Sequence, residues 1–121
     1  MICDDEQDLR ELFGKALKSK YNVILVDSGE DYIDKYIHEK SQGNKIHLIL
    51  LDYRLGGGGM FGDSVARKIK EYNGTKIILI SAYILDETLV KDLKEYKYIA
   101  KYIEKPILLT TLIELVADII S

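Results

Sequence analysis

Acidic residues follow two apolar segments of this chain, and a lysine follows a third. They are Asp4 and Asp5 after the first segment, Asp52 after the second and Lys105 after the third. Parallel strands end at one edge of an open α/β sheet, where such sheets bind their ligands. Carboxylates gathered there cannot all stay ionised without a partner, so either a cation binds or a pKa rises. Because Mg²⁺ prefers oxygen ligands and commonly uses one or two carboxylates, the pattern predicts a magnesium site. The alternative for Asp4 and Asp5 alone is a helix start, where acidic residues favour the positive end of the helix dipole.

Helical and strand-like patterns alternate along the chain, and they set where these side chains must lie. Apolar residues at helical spacing predict helices at about residues 7–20, 32–37, 63–72, 86–96 and 109–120, with Ser28 suited to cap the second. Short apolar runs predict strands at residues 1–3, 23–26, 46–51, 76–80 and 99–103. This alternation predicts a parallel sheet with helices on both faces and right-handed crossovers.

Composition favours one soluble domain. The 121 residues suffice for a single core, and 47% apolar and 31% charged residues are ordinary for a globular protein. No apolar run approaches the length of a membrane helix, and no signal peptide is visible, so we expect neither membrane association nor export. The single cysteine, Cys3, excludes an internal disulfide and fits a reducing, cytoplasmic location. A net charge of −3 with scattered lysines argues against direct nucleic-acid binding.

The motifs occur in an order that resembles the receiver domain of two-component response regulators, of the chemotaxis-regulator-like type. The matching residues are Asp4 and Asp5, Asp52, Ser81 followed by Ala82, Lys105 with Pro106, and the aromatic Tyr102 three places before the lysine. The resemblance spans essentially the whole chain. It implies a doubly wound, flavodoxin-like (βα)5 fold, with five parallel strands in the order 2-1-3-4-5 and helices on both faces.

The resemblance also implies a role for each matched residue. Asp52 accepts a phosphoryl group as an acyl phosphate. Mg²⁺ (or Mn²⁺) is held by Asp5, Asp52 and the backbone carbonyl of Arg54, with Asp4 acting mostly through ordered water. Lys105 pairs with Asp52 before the reaction and with the phosphoryl group afterwards, and the Ser81 hydroxyl donates to a phosphoryl oxygen. Pro106, the only proline, is expected to form a cis bond that aims the lysine inward.

Such a domain is a signalling switch and not an enzyme in the ordinary sense, since it catalyses only its own phosphorylation and dephosphorylation. The resemblance implies that Ser81 moves toward the phosphoryl group and Tyr102 swings inward, which reshapes the fourth helix, fifth strand and fifth helix. The partners implied are a sensor histidine kinase or phosphotransfer protein and a downstream output domain or target. A homodimer through the same face is also compatible with the family. We expect residues 1–121 to form one receiver domain with no output domain.

The sequence departs from the family pattern in four places. Only three residues precede the acidic pair, so the first strand is either short or lacks upstream residues, which favours a chain trimmed from a longer protein. Gly56 stands where the family usually has proline, and the loop before Gly62 is about two residues longer than usual. Arg54 and Tyr83 are bulky residues at positions that line the route of attacking water, which suggests a long-lived phosphoryl group.

Two other classes of function compete with the phosphorylated switch. One is a receiver-like interaction module that binds partners without phosphorylation, against which the intact Asp52, Ser81 and Lys105 argue. The other is an enzyme or cofactor binder on the same architecture. The acidic segment 4–8 does not suit the phosphate loop of a flavodoxin, and the adjacent acids lack the Asp-x-Asp spacing of haloacid-dehalogenase-type phosphatases. The glycines at 56–59 lack the Gly-Lys-Ser/Thr ending of a P-loop.

Overall fold

A computed structural model describes residues 1–4, 6–26, 32–53, 61–72 and 75–120. Strands and helices alternate through these residues. The strands are β1 (Ile2–Cys3), β2 (Leu25–Val26), β3 (Leu48–Asp52), β4 (Lys76–Ser81) and β5 (Lys101–Glu104). The helices are α1 (Gln7–Leu17), α2 (Tyr32–Ser41), α3 (Gly62–Lys70), α4 (Glu87–Glu95) and α5 (Leu109–Ile120).

All of these strands are parallel and form one sheet in the order β2-β1-β3-β4-β5. The short strand β1 lies between β2 and β3, so that Cys3 pairs with Val26 on one side and Leu51 on the other. The predicted fold class and strand order are therefore confirmed. Because β1 and β3 are neighbours in register, the residues that follow Cys3 and Leu51 lie at one edge of the sheet.

Side chains alternate between two apolar layers, one on each face of the sheet. Cys3, Leu51 and Leu79 point into the layer covered by α2, α3 and α4. Ile2, Leu50 and Ile78 point into the layer covered by α1 and α5. Burial on both faces explains why the third strand reads as an uninterrupted apolar run in the sequence.

Several predicted elements are shorter in the structure than the apolar pattern indicated, and two strands start later because their first predicted residues make other hydrogen bonds. The third strand begins at Leu48 and not at Ile46, whose carbonyl accepts a hydrogen bond from the Thr75 hydroxyl at 2.7 Å. The fifth begins at Lys101, since the Ile99 amide donates to Leu93 of α4. The second is confined to Leu25–Val26, and α1 ends at Leu17.

Helix α4 begins with a side-chain cap, whereas the N-cap residues of α1 and α3, Glu6 and Phe61, make no side-chain capping hydrogen bond. The Asp86 carboxylate accepts hydrogen bonds from the amides of Thr88 and Leu89 and so begins α4. The predicted cap Ser28 and the glycines at 56–59 lie outside the described residues. Within the described part of the chain, no helix is both long and apolar enough to cross a lipid bilayer.

Candidate functional site

Four of the residues singled out from the sequence lie at the carboxyl edge of the sheet. Asp52 and Ser81 are the last residues of β3 and β4, Asp4 follows β1, and Lys105 follows β5. Asp4, Asp52 and Ser81 are only 3%, 5% and 1% exposed. Polar side chains this deeply buried need partners, because an uncompensated buried charge is costly.

Lys105 is the partner shared by the acidic side chains. Its Nζ lies 3.2 Å from Oε1 of Glu6, 3.4 Å from Oδ2 of Asp4 and 3.6 Å from Oδ1 of Asp52. Burial by itself lowers the pKa of the Lys105 ammonium, but the charges of Asp52 and Asp4 and the contact with Glu6 outweigh it. The pKa therefore lies above its ordinary value, and the lysine stays charged at neutral pH.

Asp4 is held by backbone and side-chain contacts at the start of α1. Its Oδ1 accepts a hydrogen bond from the Glu6 amide at 2.9 Å, and its backbone carbonyl accepts one from Arg10 Nη1 at 2.8 Å. Burial raises the pKa of the Asp4 carboxyl, although the Glu6 amide and Lys105 oppose the rise. A charged Asp4 is thus incompletely compensated by its protein partners, and a further cation would stabilise it.

The oxygen donors at this edge fit a hard divalent cation. Asp4 and Asp52 supply two buried carboxylates, and Mg²⁺ commonly uses one or two of these with water or phosphate. Asp5 and the Arg54 carbonyl, the other ligands expected, lie outside the described residues. Among the residues whose placement is described, no cluster of three His, Cys, Asp or Glu side chains is arranged to hold a metal.

Ser81 connects the site to the loop between β4 and α4. Its Oγ accepts a hydrogen bond from the Tyr83 amide at 3.0 Å, and its carbonyl accepts one from the Lys105 amide at 2.7 Å. The second bond fixes the start of the segment that carries the lysine. The Lys105–Pro106 peptide bond is cis.

Tyr102 is joined to the same loop from β5. Its hydroxyl donates to the Tyr83 carbonyl at 3.0 Å and accepts from the Leu85 amide at 3.3 Å. Burial is the largest cause of a raised Tyr102 pKa. The tyrosine is partly buried against the core layer under α4. Its two hydrogen bonds link β5 to the β4–α4 loop.

Helix α3 begins in direct contact with the backbone of the predicted phosphoacceptor. The Gly62 amide donates to the Tyr53 carbonyl at 2.6 Å. A Cβ atom at Gly62 would lie 2.8 Å from Tyr53 Cα and 2.9 Å from the Asp52 carbonyl oxygen. The backbone at residue 62 can lie this close to the Asp52 and Tyr53 backbone only because residue 62 is glycine. Beside it, Phe61 stacks on the Tyr53 ring with centroids 5.3 Å apart.

Glu6 makes a contact with Lys105 that the sequence did not predict. It directly follows the acidic pair, but nothing in the sequence links it to Lys105, which is 99 positions away.

A cavity of about 690 Å³, lined in part by Val23, Ile46 and Leu48, lies at the opposite edge of the sheet. The site is therefore recognised by its charges.

Comparisons with known proteins agree with this geometry. The family model described as the response regulator receiver domain matches residues 1–117. None of the curated proteins matches the sequence significantly.

Solved structures of similar fold come from several organisms. A response regulator from Thermotoga maritima is 27% identical, with 99% of this chain and 94% of that chain covered and a TM-score of 0.75. A response regulator receiver domain protein from Methanospirillum hungatei is 19% identical, with coverages of 97% and 88% and a TM-score of 0.78. The N-terminal domain of a response regulator/sensory box/GGDEF 3-domain protein from Carboxydothermus hydrogenoformans is 22% identical, with coverages of 98% and 90% and a TM-score of 0.74. The last two show the fold alone. With the family model matching nearly the whole sequence, the chain belongs to the response regulator receiver domain family.

Proposed function

We propose that this receiver accepts a phosphoryl group on Asp52 in two-component signal transduction, as a switch and not as a conventional enzyme. One observation carries the proposal: Asp52 and Asp4 are both buried and share the Lys105 ammonium. Such a cluster places a nucleophilic carboxylate next to a cation that can pair with an incoming phosphoryl group.

The chemistry follows from these side chains. An Asp52 oxygen attacks phosphorus while the bond from phosphorus to the donor's nitrogen or oxygen breaks, and the leaving group keeps the bonding electrons. Because phosphoryl transfer needs mainly positioning and charge neutralisation, Lys105 and the Ser81 hydroxyl contribute by contacting phosphoryl oxygens. To contact a phosphoryl oxygen, the Lys105 ammonium must lengthen some of its contacts with the carboxylates.

A divalent cation, Mg²⁺ or Mn²⁺, completes the proposed site. Asp4, Asp5, Asp52 and the Arg54 carbonyl would hold it, with Asp4 acting mostly through water. When bound, the ion would neutralise charge on the phosphoryl oxygens. Asp4 supports this assignment from the protein side, because its burial leaves a carboxylate that favours an additional cation.

Phosphorylation is proposed to act on partners through Ser81, Tyr102 and the face formed by α4, β5 and α5. The hydrogen bonds that join Ser81 and Tyr102 to the loop around Tyr83 support this route. A movement of Ser81 would therefore change the contacts of Tyr102 and the position of the start of α4. The partners proposed are a sensor histidine kinase or phosphotransfer protein and an output domain or target. Residues 1–121 would act as one receiver, and a homodimer through the same face fits this scheme.

Intact-protein mass spectrometry after incubation with acetyl phosphate and Mg²⁺ tests the proposal. We expect one added phosphoryl group in the wild type and none in Asp52→Asn or in the presence of EDTA. If the wild type gains no mass while the protein is folded, the phosphoacceptor role is wrong. The alternative, an interaction module that works without phosphorylation, would then be the better account.

A further inference from the structure

We propose that Glu6 is a positioning residue that holds the Lys105 ammonium away from Asp52 in the unphosphorylated receiver and so slows its phosphorylation. The inference rests on the proposed function. It concerns a side chain outside the family motif, and it assigns to that side chain a negative effect on the reaction rate.

The distances around Lys105 carry the inference. The ammonium lies 3.2 Å from Glu6 but 3.6 Å from Asp52, so its nearest carboxylate is not the nucleophile. The Glu6 contact meets hydrogen-bond distance limits, whereas the Asp52 contact is only an ion pair. The lysine ammonium is therefore closer to the outer carboxylate, that of Glu6, than to Asp52.

An ordinary helix-capping role does not explain the Glu6 side chain. Glu6 occupies the N-cap position of α1, but its side chain makes no capping hydrogen bond. Its backbone carbonyl accepts the Arg10 amide at 3.0 Å, and this bond survives a change of side chain. The carboxylate is thus available to Lys105 while the backbone alone supports the start of the helix.

A contact made before the reaction and weakened during it raises the barrier, because only interactions stronger in the transition state accelerate a step. Lys105 must approach the phosphoryl group on Asp52, which lengthens its contact with Glu6. The Glu6 carboxylate also repels an anionic phosphodonor. Its side chain is 57% exposed, so the pair is screened by solvent and its effect is modest. We expect removal of the charge to speed phosphorylation about two- to five-fold.

The test compares Glu6→Gln with Glu11→Gln in the full chain. Glu11 lies on the same helix, is exposed and bonds to Gln7, so its variant removes the same charge without touching Lys105. Phosphorylation rates are measured by intact mass at saturating acetyl phosphate and Mg²⁺. We expect Glu6→Gln to exceed both the wild type and Glu11→Gln, with the difference shrinking at about 1 M salt, where screening is nearly complete.

A second measurement reports on Lys105 without any phosphoryl transfer. The side-chain NMR resonance of Lys105, assigned with Lys105→Gln, should shift in Glu6→Gln and stay in place in Glu11→Gln. Equal rates for the two variants overturn the inference, even if the resonance moves. An unmoved resonance overturns it as well, because the contact is its basis. A wild-type protein that gains no phosphoryl group overturns instead the proposed function, on which the inference depends.

Discussion

The Lys105 ammonium nitrogen lies 3.6 Å from an Asp52 carboxylate oxygen, although β4 separates the strands that carry the two residues. The lysine must therefore reach across the end of β4. Ser81 ends that strand with a small, 1% exposed side chain, and its carbonyl anchors the Lys105 amide. A small residue at this position thus serves the geometry of the ion pair as well as any later contact with phosphate.

Lys105→Gln should slow phosphorylation by acetyl phosphate about 100-fold, because loss of one preorganised charge donor commonly costs that much. Lys101→Gln, on the exposed side of β5, removes the same charge away from the site and should leave the rate near that of the wild type. Rates are followed by intact mass, with circular dichroism to confirm folding. Similar rates in both variants would show that Lys105 does not contact the reacting group.

Gly62→Ala should destabilise the protein by about 1–3 kcal/mol, since the new methyl group meets backbone atoms that cannot move aside cheaply. Phosphorylation should also slow, because the Asp52 and Tyr53 backbone must shift. Gly14→Ala is the matched control: the three atoms nearest its new methyl group belong to the flexible Leu25 side chain, 3.0 Å or more away, and it gains helix propensity. Urea unfolding measures both variants. Equal stability of Gly62→Ala and the wild type would contradict the close approach.

The fold could be predicted because helical and strand patterns alternate along the chain, and the place of the acidic residues because they directly follow strands. The run before Asp52 predicts a strand buried on both faces, and parallel strands necessarily bring Asp4 and Asp52 to one edge. The contact from Glu6 to Lys105 could not be predicted, since it depends on how the start of α1 and the end of β5 meet. Apolarity alone does not predict where the strands begin, because Ile46 and Ile99 are apolar yet make hydrogen bonds outside the sheet.

The Cys3 thiol should resist iodoacetamide at pH 8 in the folded protein and react once the chain is unfolded in guanidinium. Burial raises its pKa from the ordinary 9.0 to about 12, so almost no thiolate forms at that pH. Liquid chromatography with mass detection counts the labels. Rapid labelling under native conditions would show that β1 opens or that the thiol is not buried.

The same shift predicts how stability changes with pH. A pKa raised in the folded state means that the protonated thiol supports folding below about 9, and this support is lost as pH rises toward 12. Cys3→Ala should therefore be less stable than the wild type by about 1 kcal/mol at pH 7, from lost burial. In urea unfolding the difference should shrink above pH 9 and change sign by about pH 11, because each pH unit between the two pKa values removes about 1.4 kcal/mol. A constant difference would mean that the thiol pKa is the same in the folded and unfolded states.

Tyr102→Phe should loosen the loop between β4 and α4 while leaving the core in place. The substitution removes the hydroxyl that donates to Tyr83 and accepts from the Leu85 amide, and a hydrogen bond of this kind contributes about 1 kcal/mol. Hydrogen exchange of the Leu85 amide should therefore accelerate about five-fold. The measurement is made by NMR on the unphosphorylated protein.

Tyr96→Phe provides the control, because Tyr96 is exposed at the end of α4 and the same hydroxyl is removed there without touching the loop. Exchange at Leu85 should match the wild type in this variant. If Leu85 exchanges equally in all three proteins, the Tyr102 hydroxyl does not hold the loop. The proposed path from Ser81 through the loop to β5 depends on this hydroxyl. Without its hydrogen bonds, the path would need another connection between Tyr102 and the loop.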